Sequence, residues 1–548
     1  MHNSLSTINN SPIDTFIFNN LPPRELQPEF VFNLPELRYP TRLNCVTELL
    51  DRHLDGDTAD RMALRGPGVS WTYRQLSQEV NRIAHVLTDD LGLVPGNRVL
   101  LRGANSLRMA ACWLAVIKAG GIAVPTMPLL RAHELTQIVD KAQVTIGLCA
   151  DALSEELRLT QLRCPSLREV LVFDGVVGPG SLEARMISKP ETFHAVDTAA
   201  SDVCLIAFTS GTTGLPKGTM HVQQDMLAIC DCFPSHVLRS RSEDIFIGTP
   251  PLAFTFGLGG LLLFPLRVGA TAILHDRYTP LSLLQAITQY RATVCFTAPT
   301  FYRQMAQHAT EYDLSSLRQC VSAGEALPVA TRDLWRASSG LELVDGIGTT
   351  EMLHIFIASS SDQVRPGATG KPVPGYKACV VDDVGRQLPT GVIGRLAVKG
   401  PTGCRYLSDP RQAEQVINGW NLTGDAYEVD SDGYFWPHGR IDDMIVSAGY
   451  NIAAIEIENA LLEHIAVAEC AVVGVPDIER GQVVKAFVVV RAGLIADDTL
   501  GHELQEFVKR MIAPYKYPRR IEFRTVLPRT DSGKLQRFRL RIEAEPTC

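Results

Sequence analysis

Phe208-Thr209-Ser210-Gly211-Thr212-Thr213-Gly214-Leu215-Pro216-Lys217-Gly218 gathers hydroxyls, glycines and a lysine into one loop, directly after the apolar run Val203-Cys204-Leu205-Ile206-Ala207. The run has the composition of a buried strand. Glycines let backbone N–H groups converge on an anion, hydroxyls add donors, and a lysine adds charge, so the loop is suited to phosphate. No Gly-Lys-Ser/Thr closes it, which excludes a Walker A loop. A second loop, Asp345-Gly346-Ile347-Gly348-Thr349-Thr350-Glu351, would let backbone approach a ligand while Glu351 holds Mg²⁺ beside phosphate oxygens. From the residues alone, a turn with a surface glutamate is an equal reading of it. A third stretch is Leu422-Thr423-Gly424-Asp425 with Gly439-Arg440-Ile441-Asp442-Asp443, in which an aspartate could accept from both ribose hydroxyls. Between them, Asp430-Ser431-Asp432-Gly433 lacks the remaining ligands of a calcium loop and reads as a hairpin turn. The fourth is Pro528-Arg529-Thr530-Asp531-Ser532-Gly533-Lys534, an exposed Gly/Ser turn with a mobile lysine.

The elements that must position these loops alternate helix and strand. Asn44 is a cap for a helix over Cys45 to His53. Ser106 caps another, with Met109, Trp113 and Ile117 on its apolar face and Gly120-Gly121 ending it before the strand Ile122-Ala123-Val124. This alternation predicts mixed or parallel sheets covered by helices. The last hundred or so residues read as a separate small α/β unit. Ala471 to Val475 and Ala486 to Val490 are strand runs, and Leu504, Phe507, Val508 and Met511 recur at helical spacing until Pro514 and Pro518 stop the helix. The basic stretch from Lys509 to Arg541 reads first as a solvated face, and second as an attraction for polyphosphate. The Pro- and Asn-rich first 40 or so residues are expected to wrap loosely over the surface.

At 548 residues the chain exceeds a single ordinary core and implies two or more domains. With 45% hydrophobic and 20% charged residues it has a globular composition, and a net charge of -8 argues against nucleic acid as a partner. The 13 cysteines form no CxxC pair; Cys230 and Cys232 are the closest two, so reduced, mostly buried thiols are expected. Met1 to Asn10 lacks the pattern of a signal peptide, and Gly257 to Leu266, the longest strongly apolar stretch, is too short to span a bilayer. These features predict a cytoplasmic protein without membrane partners.

As an ordered set, the four motifs resemble the adenylate-forming superfamily of acyl-CoA synthetases, luciferases and adenylation domains, over about Asn44 to Arg537. The resemblance implies an α/β fold: a large N-terminal domain of mixed and parallel sheets flanked by helices, and a small mobile C-terminal α/β domain. The expected division is 1–43 as an N-terminal extension, 44–440 as the large domain and 441–548 as the small one. It also implies ATP, Mg²⁺ and coenzyme A. The first loop (Thr209, Ser210, Gly211, Thr212, Thr213, Gly214 and Lys217) would hold the β- and γ-phosphates. Thr350 would contact the α-phosphate and Glu351 the Mg²⁺, with Asp345, Gly346, Ile347, Gly348 and Thr349 completing that part of the ATP site. Asp425 and Arg440 would hold the ribose, and Ala323-Gly324-Glu325 would line the adenine and acyl sites. Asp442 matches the hinge, Gly449 the pantetheine tunnel, and Lys534 the lysine that bridges carboxylate and α-phosphate. Ile347 replaces the aromatic residue that many members stack near adenine, and Phe254 stands where many acyl-CoA synthetases have histidine.

The implied reaction is two-step: acyl-AMP formation, then capture by the thiol of coenzyme A, with the small domain swinging about Asp442 between the steps. Phe254, Thr255, Phe256 and Gly257, with Gly324 and Gly348, offer flat apolar walls suited to an aromatic acid. The stretch from Gly346 to Phe356 resembles that of benzoate–CoA ligases, in which His354 and Ile355 would line the ring site. The N-terminal segment from Leu21 to Cys45 resembles the 2-aminobenzoate (anthranilate)–CoA ligase branch. An ortho amine needs room and one polar partner, not a counter-ion. Anthranilate is therefore preferred over benzoate. A stand-alone adenylating enzyme that loads a separate acyl carrier protein is the rival. The stretch from Ala253 to Gly257 lacks the aspartate that amino-acid adenylation domains use, and no carrier domain is expected after Lys534. Homodimerisation is left open.

Overall fold

The structure is a computed structural model that describes residues 13–178, 180–209, 216–447, 450–477, 480–512, 514–529 and 535–544. Ser210, Gly211, Thr212, Thr213, Gly214, Gly449 and Lys534 lie outside the described residues, as does the N-terminal stretch from Met1 to Asn10. Asp442 falls in the short 3-10 turn Ile441–Asp443, its side chain outside the description.

The predicted alternation of helix and strand produces two large sheets. In the six-stranded sheet, strands Arg98–Arg102, Ile122–Thr126, Ile146–Ala150 and Glu169–Phe173 run parallel. The strand Val203–Thr209 joins this sheet parallel to Ile122–Thr126 and pairs antiparallel with Lys217–Val222. The nine-stranded sheet places Gln319–Ser322, Leu343–Gly348 and Ile355–Ala358 side by side. A smaller five-stranded antiparallel sheet carries Trp420–Val429 and Phe435–Arg440. From Met444 onward the strands form a sheet of their own, with Val467–Asp477 and Gly481–Val490 antiparallel through ten residue pairs and their own apolar core. The whole is a mixed α/β architecture with a large N-terminal and a smaller C-terminal domain.

Local signals act where they were expected. Ser106 Oγ accepts from Met109 N at the start of helix Leu107–Lys118, and Gly120 takes φ +78 after its end. Asn44 Oδ1 accepts from Val46 N, but the α-helix ends at Leu49 and gives way to a 3-10 turn over Asp51–His53. Leu504 and Val508 bury the inner face of helix Asp498–Met511, while Met511 turns outward in its last turn. Asp430 Oδ1 accepts from Asp432 N and Tyr434 N, which makes Asp430 to Gly433 the turn of a hairpin.

One expectation is corrected. Residues 13–43 do not wrap loosely. Ile17 and Leu37 are buried, Asp14 pairs with the buried Arg98 at 2.5 Å, and Phe30 forms a bridge with Gly400. Its prolines and asparagines give the segment a loop-like composition, but part of its apolar side chains packs into the cores formed by later elements, a tertiary arrangement that composition does not reveal. The described cysteines are free thiols, buried except for the half-buried Cys470. Among the described residues, no helix is long and apolar enough to cross a membrane.

Candidate active site

The strands that flank the first loop, Val203–Thr209 and Lys217–Val222, pair antiparallel. Thr209 stands opposite Lys217 at the last rung of the two strands, so both project from the open end of the sheet. Thr209 Oγ1 is buried without a hydrogen-bond partner. An orphaned hydroxyl at the mouth of such a loop is a donor awaiting a ligand, because leaving it unsatisfied costs about 1–3 kcal/mol. Lys217 Nζ lies 5.0 Å from the centre of the Tyr406 ring, a cation–π contact.

The second loop leaves strand Leu343–Gly348 and returns in Ile355–Ala358, with a register shift between Ile347 and Gly348. Gly348 is required by close approach, since a Cβ there would lie 2.7 Å from the backbone of His354. Ile355 folds over Gly346. Met352 N donates to Thr349 O and Leu353 N to Thr350 O, each at 3.2 Å, which tightens the turn that presents Thr350 and Glu351. Burial pushes the Asp345 carboxyl up to about 7 against the opposing field of Arg332.

Lys217 and the second loop meet through Tyr406, whose hydroxyl donates to Glu351 Oε1 at 2.5 Å. Thr350 is fixed from below: His221 Nε2 lies 2.8 Å from its carbonyl oxygen, with Asp225 Oδ2 3.6 Å from His221 Nδ1 and Arg405 Nη1 3.0 Å from the same Asp225 oxygen. All three of these side chains are buried. Thr402 Oγ1 donates to Met352 O at 2.7 Å. Residues 402–406 thus hold residues 350–352.

Asp425 and Arg440 face each other across antiparallel strands, with Arg440 Nη1 3.2 Å from Asp425 Oδ1. Ala323-Gly324-Glu325 follows strand Gln319–Ser322. Gly324 takes φ +87 with open space where a Cβ would point. Glu325 accepts from Thr300 Oγ1 at 2.9 Å and pairs at 3.3 Å with Arg529. Arg529 in turn bridges to Leu535, so the stem that flanks residues 530–534 is tied to the large domain at Glu325.

The aromatic residues gather around His354. Its ring centre lies 5.7 Å from those of Phe233 and Phe256, 4.5 Å from Phe264 and 6.3 Å from Phe296. His354 is 2% exposed, and neither ring nitrogen has a hydrogen-bond partner. The backbone of Phe256 is near enough to favour the charged form slightly, but outside hydrogen-bonding geometry; burial dominates and pushes the imidazole down to about 3. Phe256 is half-buried at the edge of this cluster, on the short helix Thr255–Leu258 with Thr255, while Phe254 precedes that helix and donates from its backbone to Pro251 O. Gly257 is small for a backbone reason as well: a Cβ would lie 2.1 Å from Pro251 O.

The structure therefore brings together Thr209, Lys217, Thr350 and Glu351 in one place, Asp425 with Arg440 in a second, and Phe256 with His354 in a third. Sequence reasoning missed Tyr406, His221, Asp225 and Arg405, along with Phe233, Phe264 and Phe296. His221 in strand Lys217–Val222 and Asp225 in the first turn of the buried helix Gln223–Phe233, four apart, are a weak signal; Tyr406 offers none before its bridge with Thr219 is known.

Comparison with known proteins bears on the same residues. The AMP-binding enzyme family matches residues 50–406, and the AMP-binding enzyme C-terminal domain matches residues 456–534. A benzoate–CoA ligase of Thauera aromatica is 36% identical over 514 residues, 92% of this chain and 97% of that protein. The human mitochondrial acyl-coenzyme A synthetase ACSM3 is 32% identical over 92% of this chain and 90% of its own. The crystal structure of the anthranilate CoA ligase AuaEII in complex with anthranoyl-AMP superposes with a TM-score of 0.89 at 35% identity, covering 93% of this chain and 99% of that one. A benzoate CoA ligase from Burkholderia xenovorans gives 0.82 at 31% identity, covering 91% and 100%.

Proposed function

The chain belongs to the AMP-binding enzyme family, and on that premise we propose that it joins anthranilate to coenzyme A through an acyl-adenylate. As an AMP-forming acid–thiol ligase it uses ATP, Mg²⁺ and coenzyme A. In the first step a carboxylate oxygen attacks the α-phosphorus, and the bond to the bridging β-phosphate oxygen breaks to release pyrophosphate. In the second, the coenzyme A thiol loses its proton and attacks the acyl carbon, and the carbon–oxygen bond to AMP breaks.

The residues present suit these steps. Thr209 Oγ1, orphaned and buried, and Lys217 offer a donor and a charge to the departing pyrophosphate. Glu351 fits a divalent cation: Tyr406 holds one carboxylate oxygen, and among the described residues the other has no partner. Mg²⁺ bound there supplies charge neutralisation on the phosphate oxygens. Thr350 presents its hydroxyl towards the α-phosphate from a loop whose backbone His221 restrains. Asp425 and Arg440 grip the ribose, and Asp345 to Gly348 lie along the base. Lys534 assists the attack from the small domain, Asp442 serves as the hinge, and Gly449 lines the coenzyme A channel.

One observation carries the choice of acid: the imidazole of His354 is buried among four phenylalanines with both nitrogens unsatisfied. A neutral imidazole can accept from an ortho N–H, whereas benzoate presents only C–H edges to it. The resemblance to both an anthranilate and a benzoate ligase supports the aryl class. A panel of aryl acids in a CoA-ligation assay tests the reading. Anthranilate is expected to exceed benzoate at least tenfold in kcat/KM (about 1.4 kcal/mol, one hydrogen bond). Equal use of the two acids would reduce the reading to an unselective aryl ligase, and no ATP–pyrophosphate exchange with any aryl acid would remove it.

A further inference from the structure

Tyr406 stands between two opposite charges that a nucleotide site must keep separate. Its segment runs beside strand Lys217–Val222, with Met220 N donating to Arg405 O at 2.7 Å and Leu407 N to Gly218 O at 2.8 Å. Thr219 and Tyr406 are bridge partners. That register directs the side chain, 0% exposed, between Lys217 and Glu351. The face of the ring seats the Lys217 ammonium at 5.0 Å, and the hydroxyl donates to Glu351 Oε1 at 2.5 Å, with a longer 3.3 Å contact to Gln415 Oε1.

An ammonium and a carboxylate on either side of one buried ring attract each other, because little solvent screens them. A direct pair would neutralise the lysine that receives phosphate oxygens and occupy the carboxylate that receives the cation. A ring with a hydroxyl tip satisfies both groups without letting them touch: the quadrupole holds the cation and the O–H holds the anion.

We propose that Tyr406 is a positioning residue that keeps Lys217 and Glu351 adjacent and unpaired, so that one takes the phosphates of the nucleotide and the other its divalent cation. The proposal rests on the ATP-site reading above and deepens it.

Calorimetric titration of the full chain with ATP, in EDTA and then in Mg²⁺, separates the two roles without turnover. Tyr406→Phe keeps the ring and removes the hydroxyl. It should bind metal-free ATP as the parent does and lose about tenfold of the Mg²⁺-dependent gain in affinity. Tyr406→Leu removes both and lets Lys217 fall onto Glu351, so metal-free ATP binding should weaken about tenfold as well. Adding Glu351→Gln to Tyr406→Leu frees the lysine and should restore metal-free binding. An unchanged Mg²⁺ gain in Tyr406→Phe, or a double variant that binds metal-free ATP no better than Tyr406→Leu, overturns the proposal. A parent that binds ATP with no Mg²⁺ gain overturns the assignment of Glu351, and this proposal with it; a parent that binds no ATP overturns the functional reading as a whole.

Discussion

His221 donates from Nε2 to the carbonyl oxygen of Thr350 at 2.8 Å, across 129 residues of chain. A carbonyl oxygen only accepts, so the proton is on Nε2, and Nδ1 faces Asp225 at 3.6 Å. Arg405, stacked 4.1 Å over the Phe30 ring, completes the chain of contacts behind the loop. His221→Ala leaves the Thr350 carbonyl without its donor. It should cost about 1–3 kcal/mol of stability and raise the KM for ATP several-fold, with a smaller change in the KM for the acid. Asp225→Asn leaves the buried Arg405 guanidinium without its anion and should cost about 3–5 kcal/mol. Denaturant melts and pyrophosphate exchange read both effects. Equal changes in both KM values would place His221 in general packing.

The imidazole of His354 titrates at about 3 in the folded chain and near 6.5 when unfolded. Below 6.5 the unfolded chain therefore binds the extra proton, and stability falls as pH falls through this window, reaching a loss on the order of 5 kcal/mol below pH 3. His354→Phe, which continues the aromatic cluster, should flatten that decline in melts taken from pH 7 to 4. Its KM for the acid should rise far more than its KM for ATP. An unchanged KM for the acid would make His354 a core residue.

The Arg529–Glu325 pair at 3.3 Å joins the small domain to the segment beside Gly324. Both side chains are partly exposed, so the pair contributes about 0.2–1 kcal/mol. Arg529→Ala should slow adenylation two- to fivefold and leave the conversion of supplied acyl-AMP with coenzyme A unchanged. Equal slowing of both steps would show that the contact does not distinguish them.

Lys534→Ala should abolish adenylation and spare the thiolation of supplied acyl-AMP, while Gly449→Leu should do the reverse. Single-turnover assays of the two half-reactions check both. Parallel loss in either variant would contradict its assigned role.

Chemistry that depends on residue type within one loop was legible from the sequence. The turn around Gly348, the Asp430 hairpin and the helix that starts after Ser106 follow from local pattern, since each is formed by residues adjacent in the chain. Residues 13–43 were misread because the surfaces that receive them are formed later in the chain, as Gly400 and Arg405 are for Phe30. Phe233, Phe264 and Phe296 lie far apart in the chain, and only the fold places all three around His354.

The sequence by itself determined which groups can meet phosphate, cation and sugar, because glycine, hydroxyl, lysine and carboxylate keep their chemistry in any fold. Only the tertiary structure decided how those groups are held. Tyr406 reaches Glu351 from 55 residues away, and His221 reaches Thr350 from 129. Such contacts arise from the register between sheets, in which a shift of one residue turns a side chain to the opposite face. Neither composition nor local periodicity carries that information.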